Sequence, residues 1–171
     1  MTLNALSWIA MAAYAFHILE EYQLNWRDWA RNALKLPVEW SDFYVTNAVV
    51  IALGVAQAML AIELPLAPMS FAALMLINAI FFHILPFART RRFSPGLITA
   101  VLLFLPCSLA VFSKAHQTGQ ATVTTMIFSF VIGAVTMAYP IVMLRVRSQS
   151  FSTRVPNNPS ACGRNYCWQR L

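Results

Sequence analysis

The stretch His17-Ile18-Leu19-Glu20-Glu21 ends an apolar segment that begins near Leu3. It places three ionisable side chains, those of His17, Glu20 and Glu21, at spacings of three and four residues. On an α-helix such residues lie within an arc of roughly 100°, so all three point the same way at nearly the same depth. A charged side chain inside a membrane costs about 2.5–3.5 kcal/mol even on lenient insertion scales. The segment therefore predicts a helix whose ionisable residues face other polar groups.

The composition is that of an integral membrane protein. Of the 171 residues, 59% are hydrophobic and 11% are charged, whereas a water-soluble domain carries about 25% charged residues. The mean hydropathy is +0.61. The net charge of +6 does not indicate nucleic-acid binding, because the basic residues flank apolar segments, where membrane topology accounts for them. We expect membrane lipids as partners and no nucleic acid.

Five apolar segments have about the 20 residues that an α-helix needs to cross the hydrocarbon core of a membrane. They are residues 3–22, 43–62, 69–88, 95–112 and 122–144. The predicted fold class is all-α, an integral membrane bundle of five transmembrane helices with one interfacial amphipathic helix. Residues 1–147 form the membrane domain, and residues 148–171 form a basic cytoplasmic tail that we expect to be mobile.

The loops set the orientation of this bundle. Basic residues fall in the segments after the first, third and fifth spans, whereas the other two loops hold only Lys114 among Lys and Arg residues. The positive-inside rule then puts those three basic segments in the cytoplasm, with the N-terminus outside and the C-terminus inside. We expect the cytoplasmic membrane of a bacterium as the location.

The first cytoplasmic segment has the pattern of the interfacial helix. Asn25 is a candidate N-cap, and Asp28 favours the positive end of the helix dipole. Arg27 and Arg31 share one face of this helix, apolar residues share another, and Pro37 ends it. An irregular hydrated loop is the alternative interpretation.

Each predicted span contributes a polar side chain to the cytoplasmic half of the bundle. Such groups must face the bundle interior or a hydrated cavity, so we expect a shared pocket open to the cytoplasmic leaflet. Asn47, Asn78 and Thr136 are the candidate substrate-binding residues of this pocket, and Tyr139 is a candidate acid. Buried hydrogen bonds between helices are the alternative for Asn78 and Tyr139.

Four side chains are candidate ligands of one divalent metal ion: His17, Glu20, Glu21 and His83. Two imidazoles and one carboxylate leave positions open for water or substrate, which suits catalytic Zn²⁺ or non-haem Fe(II). The remaining glutamate would act as general base, so the candidate catalytic residues are Glu20, Glu21 and Tyr139. The alternatives are carboxylates at the headgroup level, solvated or paired with Arg27 or Arg31, and a structural lock between helices.

Asn78 and His83 pose a geometric difficulty for a common pocket. They lie five residues apart, which separates them by about 140° on a regular α-helix. They share a face only if the helix is distorted. Pro86 removes the hydrogen bond to the carbonyl of Phe82 and is the candidate cause of such a distortion.

The fourth span starts at Ser94-Pro95-Gly96. Ser is a favoured cap, Pro fits the first helical position, and Gly permits close approach. Free N–H groups at this helix start, beside basic residues, predict a site for an anionic headgroup. The candidate residues of that site are Arg89, Arg91, Arg92 and Ser94. Capping combined with positive-inside anchoring is the simpler alternative.

Three short motifs resemble those of the HXXEE-domain membrane proteins. His17, Glu20 and Glu21 match the signature of the family, Asn78-Ala-Ile-Phe-Phe-His83 resembles a second motif, and Ser94-Pro95-Gly96 resembles a third. The resemblance spans roughly residues 10–145 and leaves the tail outside. It implies a small multi-span membrane protein, with enzymatic activity as the expectation, and it names a site but no reaction.

Together these patterns predict a metal-dependent membrane enzyme that acts on a lipidic or other apolar substrate from a cytoplasmic-side polar pocket. A proton-coupled transporter or proton-sensing membrane protein is the first alternative, because the same residue types form proton relays. A structural or accessory membrane subunit is the second.

Overall fold

The structure, a computed structural model, describes residues 1–152, with side chains up to Arg145. The regular secondary structure of this part of the chain is entirely helical, which confirms the all-α prediction. The predicted tail, residues 148–171, lies outside the described residues apart from the end of the last helix.

Six helices follow one another along the described chain. They are α1 (Leu3–Gln23), α2 (Trp26–Trp29, continued by π-helical Ala30–Leu34), α3 (Trp40–Met59), α4 (Leu66–Thr90), α5 (Leu97–Gln117) and α6 (Val123–Ser152). Two of them, α4 and α5, change from α-helix to π-helix and back within their length. The predicted fourth span is longer than expected at its outer end, since α5 continues to Gln117.

Four of these helices are long and apolar enough to span a membrane: α3, α4, α5 and the part of α6 that runs Val123–Arg145. They correspond to the second to fifth predicted spans. The first predicted span forms α1, which has 21 residues but a lower hydropathy, because its last turns carry His17, Glu20 and Glu21. The structure therefore establishes four candidate spans and one further long helix that carries the ionisable residues.

The π-helical segments of α4 and α5 each end two residues before a proline. Ala79–Ile84 precedes Pro86 in α4, and Ala100–Phe104 precedes Pro106 in α5. Proline has no N–H, and its ring clashes with the carbonyl of residue i−4. A π-turn, in which hydrogen bonds run between residues five apart, accommodates that ring. The distortion expected at Pro86 is thus present in the fold.

Helix α4 lies at the centre of the bundle, in contact with α1, α3, α5 and α6. Apolar side chains from α1, α3, α4 and α5 form the largest core, which includes Ala10, Tyr14, Val50, Phe71, Met75 and Phe104. At Gly133, a Cβ atom would lie 2.8 Å from the backbone nitrogen of Leu74. The glycine therefore lets the backbone of α6 pack closely against α4.

The amphipathic helix α2 forms, but its ends differ from the prediction. Asn25 has a left-handed backbone (φ 55°) and no side-chain cap, and its Nδ2 donates to Asp28 Oδ2 at 2.7 Å instead. Lys35, with φ 57°, ends the helix rather than Pro37. The position of α2 at the membrane interface stays a prediction.

Arg27 Nε also donates to Asp28, at 2.8 Å. The hydrogen bond from Arg27, followed by that from Asn25, holds the pKa of the Asp28 carboxyl below its ordinary value. Asp28 is therefore ionised at neutral pH, and its partly exposed carboxylate holds the first turn of α2.

Candidate metal centre

Three buried side chains from α1 and α4 meet beside the start of α5. His17 and Glu21 lie one turn apart on α1, and His83 comes from the π-helical segment of α4. Glu21 Oε1 is 3.5 Å from His17 Nε2 and 3.6 Å from His83 Nε2. Both imidazoles are fully buried, and Glu21 is 6% exposed. The structure thus brings together three of the four predicted metal ligands.

A chain of hydrogen bonds fixes the orientation of His17. Thr99 Oγ1 lies 2.6 Å from Glu20 Oε2 and 2.8 Å from His17 Nδ1, with the neutral Gly96 carbonyl farther away at 3.2 Å. A carboxylate can only accept, so the single hydroxyl proton of Thr99 goes to Glu20. Thr99 Oγ1 then accepts from Nδ1–H of His17, which leaves the Nε2 lone pair directed at Glu21.

A second chain of hydrogen bonds orients His83. It starts at the carbonyl of Phe82, which Pro86 leaves without its usual helical donor. Pro86 has no N–H to offer the carbonyl of Phe82, and Ser94 Oγ donates to that carbonyl at 3.3 Å. Ser94 Oγ therefore accepts from Nδ1–H of His83, which is 3.1 Å away. The Nε2 lone pair of His83 is thereby directed at Glu21 as well.

When Glu21 is ionised, three hydrogen-bond acceptors converge in the centre. Within the described residues, both Nε2 atoms are buried without a hydrogen-bond partner, and an ionised carboxylate between them can only accept. The three ligand atoms lie within 4.8 Å of one another. A tetrahedral Zn²⁺ ion with bonds of about 2.0–2.1 Å holds its ligand atoms about 3.4 Å apart, close to both observed N–O distances. A divalent cation, or a proton shared with Glu21, satisfies this arrangement.

Gly96 closes one side of the centre with backbone. Its φ is +93°, and a Cβ atom there would lie 2.6 Å from Cε1 of His83 and 2.7 Å from Cε1 of His17. Any other residue would be strained by this φ and would also clash with both imidazole rings. The glycine at the start of α5 is therefore required by the centre itself.

Glu20 lies beside the centre but has a different structural role from Glu21. Its two oxygens accept from the backbone N–H groups of Gly96, Ile98 and Thr99, at 3.2, 3.1 and 2.8 Å, and from the Thr99 hydroxyl. The carboxylate therefore caps the N-terminus of α5, where the helix dipole favours negative charge. The two glutamates are not equivalent, because one faces α5 and the other faces the imidazoles.

This arrangement of a histidine and two glutamates is also the pattern that a known family shares. A family model described as "Protein of unknown function with HXXEE motif" matches residues 8–111. The chain belongs to the HXXEE family. The matched region contains His17, Glu21 and His83 together with the residues that orient them, and it ends before α6 begins. No curated protein and no solved structure matches the chain.

A cavity of about 80 Å³ adjoins the centre of this HXXEE protein. Glu21 lines it, and so do the three predicted substrate-binding residues, Asn47, Asn78 and Thr136. Asn47 Oδ1 accepts from the Tyr14 hydroxyl at 3.3 Å. Asn78 Oδ1, by contrast, is buried without a hydrogen-bond partner among the described residues. Helices α3, α4 and α6 thus bring neutral polar groups next to the carboxylate of Glu21.

Tyr139, the predicted acid, does not line this cavity. It is 63% exposed and lines a larger, open groove of about 830 Å³ between α3 and α6, whereas Thr136 lines both. The structure therefore separates Tyr139 from His17, Glu21 and His83.

The predicted site for an anionic headgroup changes in two respects. Ser94 is fully buried and bonded to His83, so a headgroup cannot reach it. The N–H groups at the start of α5 bind Glu20 rather than an external anion. Arg89, Arg91 and Arg92 are exposed, and their contact with a headgroup stays a prediction.

The alternative in which Glu20 and Glu21 pair with nearby arginines is wrong. Arg27 pairs with Asp28 at 2.6 Å, and Arg31 pairs with Glu39 at 2.7 Å. Glu20 instead accepts hydrogen bonds at the start of α5, and Glu21 faces the two imidazoles.

Proposed function

We propose that this HXXEE protein is a membrane enzyme that binds one divalent metal ion, Zn²⁺ or Fe²⁺, and acts on a lipidic or other apolar substrate. The ligands are His17, Glu21 and His83. The observation that supports this is the convergence of three acceptors on one buried position, while a hydroxyl engages Nδ1 of each imidazole. Histidines that bind metal ions almost always donate their other N–H in this way.

Two imidazoles and one carboxylate leave coordination positions for a substrate. When bound, the ion would act as a Lewis acid on a substrate oxygen. Glu21 connects the ion to the cavity, where Asn47, Asn78 and Thr136 would orient the substrate. Glu20 is a positioning residue in this proposal, because its effect reaches His17 through Thr99.

In this proposal α1 is the fifth membrane span, with the N-terminus outside and the C-terminus in the cytoplasm of a bacterium. The ionisable residues of α1 contact other helices rather than lipid, which removes most of the cost of placing them in the membrane. The same topology puts the arginines of α2, those that follow α4 and Arg145 on one side, in agreement with the positive-inside rule.

Metal analysis of the purified protein tests the ligand set. We expect about one Zn²⁺ or Fe²⁺ ion per chain, and loss of that ion in His17→Ala, His83→Ala and Glu21→Gln, because each removes one of three ligands. Elemental analysis by mass spectrometry measures the content.

Two matched variants control for changes of residue type alone. His116 and Glu63 are exposed and lie outside the centre, so His116→Ala and Glu63→Gln should retain the ion. The wild-type protein is expressed in medium with added zinc and iron. If it then holds no stoichiometric metal, the proposed metal ion is refuted.

A proton-coupled transporter or proton-sensing protein is the second candidate function. The 3.5 and 3.6 Å distances from Glu21 to the imidazoles also suit a proton held between ionisable groups. It predicts proton flux into liposomes that Glu21→Gln abolishes in protein free of metal. A purely structural subunit would instead lose folding stability in these variants, with no separate activity to lose.

A further inference from the structure

The groove between α3 and α6 is an open apolar surface at the side of the bundle. Its volume is about 830 Å³, within the range of about 300–1,000 Å³ typical of small-molecule sites. Apolar side chains line most of it, and five of them are exposed: Val45, Val49, Leu53, Val135 and Met143. Because both helices are candidate membrane spans, this surface meets the acyl chains of the bilayer.

The groove adjoins the cavity beside the metal centre. The two share the lining residues Asp42, Thr46, Val50, Thr136, Pro140 and Leu144. The groove and the cavity therefore adjoin along these six residues, and the cavity reaches Glu21 on its far side.

One side-chain oxygen of a residue that lines the cavity lacks a hydrogen-bond donor. Asn78 is 5% exposed, lines the cavity, and its Oδ1 has no hydrogen-bond partner among the described residues. An unpaired buried carbonyl is costly, and a hydroxyl or an amide N–H of a ligand would satisfy it. An apolar helix from a second protein molecule packed in the groove would leave this oxygen unpaired, so a helix is the weaker candidate occupant.

We propose that the groove binds the hydrocarbon chain of a lipid whose polar end carries a hydroxyl or an amide N–H. The lipid enters sideways between α3 and α6, and its polar end donates to Asn78 Oδ1 in the cavity beside Glu21. This inference rests on the proposed function, because it names the substrate class of the same centre.

Competition between two matched ligands tests the polar part of the inference. Protein in phospholipid nanodiscs is labelled with a photoreactive hexadecanol that carries a diazirine on its chain, and unlabelled hexadecanol or hexadecyl methyl ether competes. The ether has the same chain but no donor, so we expect hexadecanol to compete about tenfold better. Asn78→Leu should abolish this difference, and equal competition in the wild type would overturn the assigned role of Asn78.

The position of the label tests the groove. We expect competable labelling of the groove-lining residues of α3 and α6, and its loss in Val135→Trp, because the indole fills the groove from a position that is 64% exposed and free of core packing. Ala134→Trp is the matched control, since Ala134 is exposed at the same depth but does not line the groove. Labelling that no competitor reduces, or that Val135→Trp leaves unchanged, would overturn the inference.

Metal content measured on the same samples separates this inference from the proposed function. Bound metal without competable labelling refutes the lipid site and leaves the metal centre standing. Competable labelling without bound metal refutes the metal ion and supports the lipid site.

Discussion

The metal centre at the start of α5 and the groove between α3 and α6 differ in how their surfaces are held in place. In the centre, each imidazole is oriented by a hydroxyl, and each hydroxyl is oriented by an oxygen of another element. In the groove, apolar side chains form most of the walls, and several of them are exposed. The loss of one hydrogen bond should therefore disturb the centre, whereas the groove should change only when a larger side chain fills it.

The largest expected loss of stability and of metal binding comes from Gly96→Ala, which would displace both imidazoles of the centre. The added Cβ atom meets both imidazoles at a backbone φ of +93°, so we expect stability to fall by about 3 kcal/mol or more and the bound metal to be lost. Thermal unfolding in detergent and metal analysis measure these two changes.

Gly119→Ala is the matched control for that substitution. Gly119 also has a positive φ, +72°, but a Cβ atom there meets nothing within 4 Å. It should cost only backbone strain, about 1–2 kcal/mol, with full metal content. Equal losses in the two variants would show that the imidazole contacts do not matter.

A smaller loss of metal binding is expected from Thr99→Val. This substitution removes the hydroxyl that connects His17 to Glu20 and leaves the three ligands in place. The valine cannot accept from His17 or donate to Glu20, so metal affinity should fall about 10–100-fold. A competition titration with a chelating dye measures this affinity.

The conservative variant Thr99→Ser keeps the hydroxyl and should restore the affinity, which a merely structural role would not require. Thr118→Val, at an exposed threonine outside the centre, should bind as the wild type does. If Thr99→Val and the wild type bind metal equally well, Thr99 and Glu20 do not position His17.

The smallest effect is expected at Asp28, a partly exposed residue that belongs to neither site. Because the folded pKa of Asp28 is lowered, its contribution to stability is present above the ordinary carboxyl pKa and is lost as the pH falls through the lower folded value. Arg27→Gln should raise the pKa of Asp28 towards its ordinary value without changing the metal content. A titration of the carboxyl carbon by NMR measures this change, and identical titration curves for the two proteins would contradict it.

The helices and the candidate ligands of the centre were predictable from the sequence because hydropathy and helical spacing are local properties. Apolar runs located the long helices, and the i, i+4 spacing of His17 and Glu21 put both on one face. The effect of Pro86 was predictable too, since a missing N–H acts on the carbonyl four residues earlier.

The different roles of Glu20, which caps α5, and Glu21, which faces the imidazoles, were not predictable from local spacing. Consecutive residues on a helix point about 100° apart, and only the packing of α5 against α1 decides which carboxylate meets the backbone of α5. The roles of Thr99 and Gly96 depend on the same contact. The surroundings of Tyr139 depend on packing in a related way: Ser129 and Gly133 mark the face of α6 that packs inside the bundle, whereas Tyr139 is exposed beside the groove.

The π-helical segment of α4 has one further consequence, for how related sequences are compared. Deletion of a single residue such as Ala79 would barely alter the length or hydropathy of this helix, yet it would turn every later side chain by about 100°. His83 would then rotate away from Glu21 while the chain kept all its apolar segments. A search for further members should therefore hold the five-residue step from Asn78 to His83 fixed, together with the proline three residues beyond.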